Sequence, residues 1–238
     1  MNAVSMISAT RPDGRFGQVF WERLWRSAGM QSVGLFVAAY FVYGVQPNIA
    51  AAPEALTAFY GSGRAHILVA AAIVGLAILN LTWFLAAVRS TLAETGQDGW
   101  GAAVTASSAA VAAVLLILIM LCAALTFPTS PSGNLTLESS LNTVAWAGLV
   151  MSSFPRAMLI MSGSFGLWRA GIISDRLFGV CVAAVVLVLA GGTTWMNGGI
   201  WSPDGAYARL FSPLIGLVWL AGISGLLLTR RATTRSGW

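Results

Sequence analysis

Arg156 is the residue whose type and position most suggest chemistry, because it lies near the centre of the fourth of six apolar segments. A charge at mid-bilayer costs about 2.5–3.5 kcal/mol on insertion scales, so such a residue usually faces a bundle interior or a wet cavity. Pro155 precedes it, and a mid-helix proline frees the carbonyl four residues earlier, here that of Met151. Ser152 and Ser153 lie one turn before Arg156 on nearly the same face. The sequence therefore predicts a kink, a free carbonyl, two hydroxyls and a guanidinium in one place.

This cluster has two interpretations. Arg156 either binds an anionic or polar group, or acts as a gate, or it is a structural residue satisfied by carbonyls and hydroxyls of neighbouring helices. No Asp or Glu falls well inside any apolar segment, so its partner is a polar group, a ligand, a lipid head group or another subunit. Asn80, in the second segment, is a further candidate for this site, with interhelical hydrogen bonding as the alternative.

A second candidate site opens the second apolar segment, where Tyr60 is followed by Gly-Ser-Gly-Arg-Ala-His. Ser62 is expected to cap a helix there, and free backbone N–H groups with Arg64 are suited to hold an anion. His66 is the only histidine in the chain. The alternative interpretation is a helix cap with interfacial polar residues. A single histidine predicts no metal site, and no cofactor is expected.

The composition excludes several classes of function. All 13 cationic residues are arginine, so neither a lysine Schiff base nor a lysine-containing phosphate loop is possible. No pair of carboxylates lies in an apolar segment, as a proton- or sodium-coupled antiporter would need. The net charge of +5 is spread beside apolar segments without a basic run, so nucleic acid is not the expected partner. No catalytic residue is predicted, and an enzyme is disfavoured.

These residues must be positioned by membrane-spanning helices. Hydrophobic residues make up 57% of the chain and charged residues only 9%, against about 25% charged in soluble domains. Six segments approach the roughly 20 apolar residues that a spanning helix needs. We predict an all-α, polytopic transmembrane helical bundle over residues 28–229, with spans at Ala28–Val45, His66–Val88, Ala102–Phe127, Val144–Trp168, Leu177–Met196 and Tyr207–Thr229.

Arginine placement predicts the orientation of the six spans. With the N-terminus in the cytoplasm, the cytoplasmic side receives ten arginines and the outer side only Arg64 and Arg209. Both termini, residues 1–27 and 230–238, are then cytoplasmic tails. The stretch Phe16–Arg26 has apolar residues at helical spacing, which fits either an interfacial amphipathic helix or an extension of the first span.

The chain resembles an uncharacterised family of small six-span bacterial integral membrane proteins. The resemblance rests on the Arg-Trp-rich start from Trp21 to Arg26, on Pro47 and Pro53 in the first outer loop, and on the central Pro155-Arg156. It implies a six-helix bundle in the bacterial cytoplasmic (inner) membrane, and it implies no activity.

Three classes of function remain. The leading hypothesis is binding or passage of a small or lipid-like ligand near Arg156, with membrane lipids as partners. The alternative is a structural or accessory subunit of a larger membrane complex, with other membrane subunits or a homo-oligomer as partners. A lipid-modifying enzyme that holds a phosphate with Arg156 or Arg64 is the third. A polar cavity that reaches Arg156 is the observation that separates the first class from a solid bundle.

Overall fold

The computed structural model describes residues 15–127 and 135–229, and every regular element in these ranges is helical. The predicted all-α class is thus confirmed for the part of the chain described. The elements are α1 (Arg15–Tyr43), α2 (Pro53–Thr57), a π-helical turn (Ala58–Ser62), α3 (Arg64–Glu94), α4 (Asp98–Ala124), α5 (Leu135–Met151), α6 (Ser153–Arg169), α7 (Asp175–Gly191), a second π-helical turn (Tyr207–Phe211) and α8 (Ser212–Thr229).

Four helical segments are long and apolar enough to cross a membrane, namely Arg64–Glu94, Asp98–Ala124, Thr136–Arg169 and Tyr207–Thr229. The protein is therefore a membrane protein. The first and fifth apolar segments are not in this group. The helix α7 has only 17 residues and ends at Gly191, short of the Met196 boundary that hydropathy predicts. The helix α1 has 29 residues, but charged and polar side chains interrupt its first half.

Two helix boundaries differ from simple spans. The helix α1 runs without a break from Arg15, so Phe16–Arg26 and the first apolar segment form one continuous helix. The fourth segment is divided, because α5 ends at Met151 and α6 begins at Ser153, three residues before Arg156. This division lies where the sequence predicts a kink, because Pro155 has no N–H with which to continue the helical hydrogen bonds.

The long helices form a closed ring, in which each contacts the next in the order α1, α3, α4, α6, α7, α8 and back to α1. The pairing of α1 with α8 is antiparallel, since Arg26 Nη1 donates to Leu227 O at 3.2 Å and Met30 N donates to Ser224 Oγ at 3.2 Å. We call the end of the bundle where α1 begins and α8 finishes the Arg26 end. The opposite end, which carries the loops 44–63 and 192–206, is the Tyr60 end.

Small residues allow the helices to approach closely, as expected for membrane bundles. A Cβ at Gly163 would lie 2.8 Å from the Trp219 ring, and one at Gly191 would lie 2.5 Å from Ser212 Oγ. Three further glycines stand four residues from another small residue, in the pairs Ala71 with Gly75, Gly148 with Ser152 and Ala221 with Gly225. A Cβ at Gly148 would lie 2.7 Å from Leu118 and one at Gly225 would lie 3.3 Å from Met30, whereas one at Gly75 would meet nothing within 4 Å. Close approaches therefore occur both at glycines with this spacing and at glycines without it.

The two ends of the bundle are packed differently. The main core cluster fills the Arg26 end and the middle, with fully buried side chains such as Phe84, Leu92 and Leu167. A smaller cluster around Leu56 and Tyr60 closes the Tyr60 end. The ring encloses open volume between these clusters, and Arg156 borders it.

Candidate functional site

The break between α5 and α6 determines where the Arg156 side chain lies. Pro155 has no N–H, and the next amide, Arg156 N, donates to Ser152 O at 3.2 Å. The guanidinium folds back along the same turn, so that Nε donates to Ser152 O at 3.2 Å and Nη2 donates to Ser153 Oγ at 3.0 Å. The predicted cluster of guanidinium and two serines is present, but the carbonyl that receives Arg156 is that of Ser152 rather than Met151.

The positive charge of Arg156 is not neutralised locally. Within residues 15–127 and 135–229, no carboxylate pairs with it, and its hydrogen-bond acceptors are neutral. Ser153 Oγ is shared with the neighbouring helix, because it lies 3.4 Å from Ser212 Oγ on α8. A guanidinium has five N–H donors in a fixed fork, so donors remain for a further acceptor.

Arg156 lines a cavity of about 560 Å³ between α1, α4, α6 and α8. This volume falls in the range of about 300–1,000 Å³ that is typical of small-molecule sites. Apart from Arg156, Arg209 and Ser152, almost every wall residue is apolar or aromatic; the walls include Val37, Phe41, Val111, Leu115, Leu159, Leu214, Leu217, Trp219 and Leu220.

Arg209 is the second cation of the cavity. The distribution of arginines had placed it on the outer side of the membrane. It lies in the π-helical turn that leads into α8, and no hydrogen bond from its guanidinium is found in the described structure. Its place inside the sixth predicted span, two residues after Tyr207, was the signal in the sequence that it borders the bundle interior.

The backbone positions of Arg156 and Arg209 lie within about two helical turns of each other along the bundle. Ser153 and Ser212 are at the same height, as their oxygen contact shows, and Arg209 lies about one turn before Ser212. Arg156 points back toward Ser153, the direction that helical side chains favour. About 20 Å of helix separates Arg156 from Arg169 at the Arg26 end. The cavity therefore has a cationic region toward the Tyr60 end and an apolar remainder.

Asn80 lies outside this cavity. Its Nδ2 donates to Leu76 O at 2.9 Å within α3, so it joins neither Arg156 nor a neighbouring helix through this bond. In the described part of the chain no hydrogen bond from Asn80 reaches a neighbouring helix, and its interhelical role stays a prediction. Side-chain bonding to the carbonyl one turn earlier is the local arrangement that polar helix residues often adopt.

Arg64, Ser62 and His66 lie together at the Tyr60 end but do not build the predicted capped anion site. Ser62 donates to Ala58 O, and α3 has Gly63 as its N-cap residue and no side-chain cap. The Arg64 guanidinium lies 4.3 Å from the centre of the Phe127 ring, a cation–π contact. His66 is exposed and contacts Phe59 edge-on. This end is a shallow, open groove.

A hydrogen-bond network around Asn142 fixes the loop at the Tyr60 end, and no pattern in the sequence indicated it. Asn142 Oδ1 accepts from Tyr60 at 2.9 Å and from Gln46 at 3.1 Å, while Nδ2 donates to Pro47 O and Asn48 O at 3.4 and 3.3 Å. Burial raises the pKa of Tyr60, so its hydroxyl stays a neutral donor.

Asp204 holds the same loop from the opposite side. Its Oδ2 accepts from Ile49 N at 3.1 Å, and its Oδ1 accepts from Ser202 Oγ at 2.6 Å. Partial burial acts to raise the pKa of Asp204, but the hydrogen bonds and the nearby Arg209 outweigh it and hold this pKa below its usual value. Arg209 thus has an acidic residue nearby without forming a direct ion pair.

Comparison of the chain with models of protein families, with curated proteins and with solved structures gave no match. The function must therefore be argued from the cavity itself.

Proposed function

We propose that this chain is a six-span protein of the bacterial cytoplasmic membrane that binds a small or lipid-like ligand in the cavity at Arg156. Both termini are cytoplasmic in this proposal. The four spans described above are joined by α1 and α7, which complete the same ring and contact spanning helices on both sides.

The arginine distribution supports this orientation. Within the described ranges, the Arg26 end carries Arg23, Arg26, Arg89, Arg169 and Arg176, whereas the Tyr60 end carries Arg64 and Arg209. Cytoplasmic ends of membrane proteins carry the excess of cationic residues. The Arg26 end is accordingly the cytoplasmic one.

The binding proposal rests on a largely apolar cavity that is lined by Arg156 and Arg209. Among the described residues, neither guanidinium forms an ion pair with a carboxylate. An uncompensated cation is costly in an apolar site, and an anionic or strongly accepting ligand group removes part of that cost. The apolar walls suit a hydrocarbon body attached to that group. The ligand class is therefore an amphiphile with a polar or anionic head.

Filling the cavity is the sharpest test of this proposal. Gly216 lines the cavity, and a Cβ there meets no atom within 4 Å, so Gly216→Leu should fill space without displacing a helix. Gly222 lies on the same helix outside the cavity and is equally open, which makes Gly222→Leu a matched control. The measurement is mild purification followed by mass spectrometry of bound small molecules.

We expect a molecule that is retained by the unmodified protein and by Gly222→Leu, and that is lost in Gly216→Leu and in Arg156→Gln. Equal retention by all four proteins would overturn the proposal. A stoichiometric partner protein, with no retained small molecule, would favour the accessory-subunit function instead.

A further inference from the structure

Resting on the proposed function, we infer that the ligand is an anionic membrane lipid, and that it reaches the cavity sideways through a portal between α1 and α8. Its head group is bound by Arg209 and Arg156, and its chain lies along the apolar walls. The leaflet that supplies it is the one at the Tyr60 end.

The hydrogen bonds found between α1 and α8 in the described residues lie near the Arg26 end. There Ser224 Oγ donates to Arg26 O at 2.5 Å, and a Cβ at Gly29 would lie 2.8 Å from Ser224 Cβ. Toward the Tyr60 end, both helices contribute side chains to the wall of the cavity. The cavity is therefore bounded by α1 and α8 in the half of the bundle away from these hydrogen bonds.

Several residues of α1, of α8 and of the turn before α8 line the cavity and are also exposed on the outer surface of the bundle. On α1, Val37 is 41% exposed and Phe41 is 77% exposed; on α8 and the turn before it, Leu214 is 54% exposed and Leu210 is 44% exposed. Walls on the far side, such as Ile160 on α6 and Val111 on α4, are buried. A cavity bounded by exposed apolar side chains on one side and buried ones on the other opens laterally, toward the hydrocarbon of the membrane. We call this opening the portal.

The described loops at the Tyr60 end do not line the cavity. None of its lining residues belongs to the loops 44–63 or 192–206, and the first of these loops is fixed by Asn142 and Asp204. The exposed apolar lining residues of α1 and α8 favour access from the bilayer, and they favour a membrane lipid over a water-soluble anion.

The cationic region selects the head group and the leaflet. Arg209 stands in the turn at the start of α8, close to the Tyr60 end, and Arg156 points toward the same level. Guanidiniums bind phosphate and carboxylate through paired, charge-assisted hydrogen bonds. A lipid with a net negative head group satisfies both cations, whereas a zwitterionic lipid brings a cation of its own to the same place.

The test uses the full-length protein in phosphatidylcholine vesicles that contain a trace of phosphatidate with a photoreactive acyl chain. Crosslinked peptides are identified by mass spectrometry. We expect labelling concentrated on Val37–Phe41 and Leu210–Leu214, and reduced about tenfold in Arg209→Gln, which is the loss of one charge-assisted contact. Arg64→Gln removes the same charge at the same end outside the cavity and should leave the labelling unchanged.

A photoreactive phosphatidylcholine provides the second arm, and it should label the portal much less than phosphatidate does. Labelling spread evenly over the outer surface of the helices, or indifferent to both head group and Arg209, would overturn the inference. If Gly216→Leu and Arg156→Gln still release a bound molecule in that case, the cavity binds a ligand of another class. If they release none, the proposed function fails as well.

Discussion

Asn142 is completely buried, and each of its side-chain polar groups is bonded to a residue distant in sequence. It links α5 to the π-helical turn through Tyr60 and to the loop after α1 through Pro47 and Asn48. The neighbouring Trp146 Nε1 donates to the same Pro47 carbonyl at 2.9 Å. A buried polar network is stabilising only while every member is satisfied, so this residue is more sensitive to replacement than its position near a loop suggests.

We expect Asn142→Leu to lower the free energy of unfolding by at least about 2 kcal/mol, because it leaves buried donors and acceptors without partners. The measurement is thermal unfolding in detergent at a fixed scan rate, monitored by tryptophan fluorescence. Asn80→Leu is the control. Asn80 bonds only within its own helix in the described structure, and its replacement should change stability by less than about 0.5 kcal/mol. Equal effects of the two substitutions would show that the network does not stabilise the fold.

The sequence predicted Arg156 and Ser153 as neighbours because their contact depends only on helical spacing within one segment. It did not predict that Arg209 shares their cavity, nor that Asn142 bonds to Tyr60. Those contacts depend on how separate helices pack, and in a chain so rich in alanine and glycine many packings satisfy the same pattern. The contacts of Asn80 could not be derived for the same reason, since hydropathy cannot tell which face of α3 is covered.

At the scale of elements, hydropathy located all six long helical segments, because 20 apolar residues leave the chain few alternatives in a membrane. It placed their ends less well. The helix α7 stops at Gly191 because Gly191 and Gly192 are followed by a hydrogen-bonded turn in which Thr194 Oγ1 donates to Gly191 O at 2.8 Å. Apolar residues beyond this turn extend the hydropathy signal without extending the helix.

The close approach of α7 to α6 and α8 predicts different effects for two glycines of α7. A Cβ at Gly191 would lie 2.5 Å from Ser212 Oγ and 2.9 Å from Ser153 Oγ, whereas one at Gly179 meets nothing within 4 Å. We expect Gly191→Ala to destabilise the protein by about 1–3 kcal/mol through overpacking. Gly179→Ala should be neutral or stabilising by up to about 1 kcal/mol, because alanine favours helix.

Thermal unfolding of both variants beside the unmodified protein measures this difference. Gly191→Ala should also weaken retention of the bound ligand, since Ser153 lies next to Arg156. An unchanged unfolding midpoint for Gly191→Ala would mean that α7 is not held against α6 and α8 as the structure has it.

At the scale of the whole molecule, the Arg26 end of the ring is packed by the main core cluster and rich in arginine. The Tyr60 end is closed by the smaller cluster and carries Arg64 and Arg209. The proposed orientation puts the packed end in the cytoplasm. Whether the chain crosses the membrane four or six times depends on whether the helices α1 and α7 span it. The helix α7 lies between the loops that contain Ser174 and Gly198.

Reporter fusions at these two turns test the proposed topology. Alkaline phosphatase depends on disulfides, which form outside the cytoplasm. We therefore expect an inactive enzyme when it is fused after Ser174 and an active one when it is fused after Gly198. A green fluorescent protein fusion should show the opposite pattern. The same activity at both sites would mean that α7 does not cross the membrane.

The contact between α1 and α8 joins residues up to 201 positions apart in the chain. Helices are delivered to the membrane in order, so α1 is inserted long before the ribosome produces its partner. Until then Gly29 and Met30 face lipid or a chaperone on the side that Ser224 later covers. Folding in the membrane therefore ends with the closure of the ring. The portal and the cationic region of the cavity form only in that last step. A nascent chain halted before α8 has no pocket with which to bind a lipid.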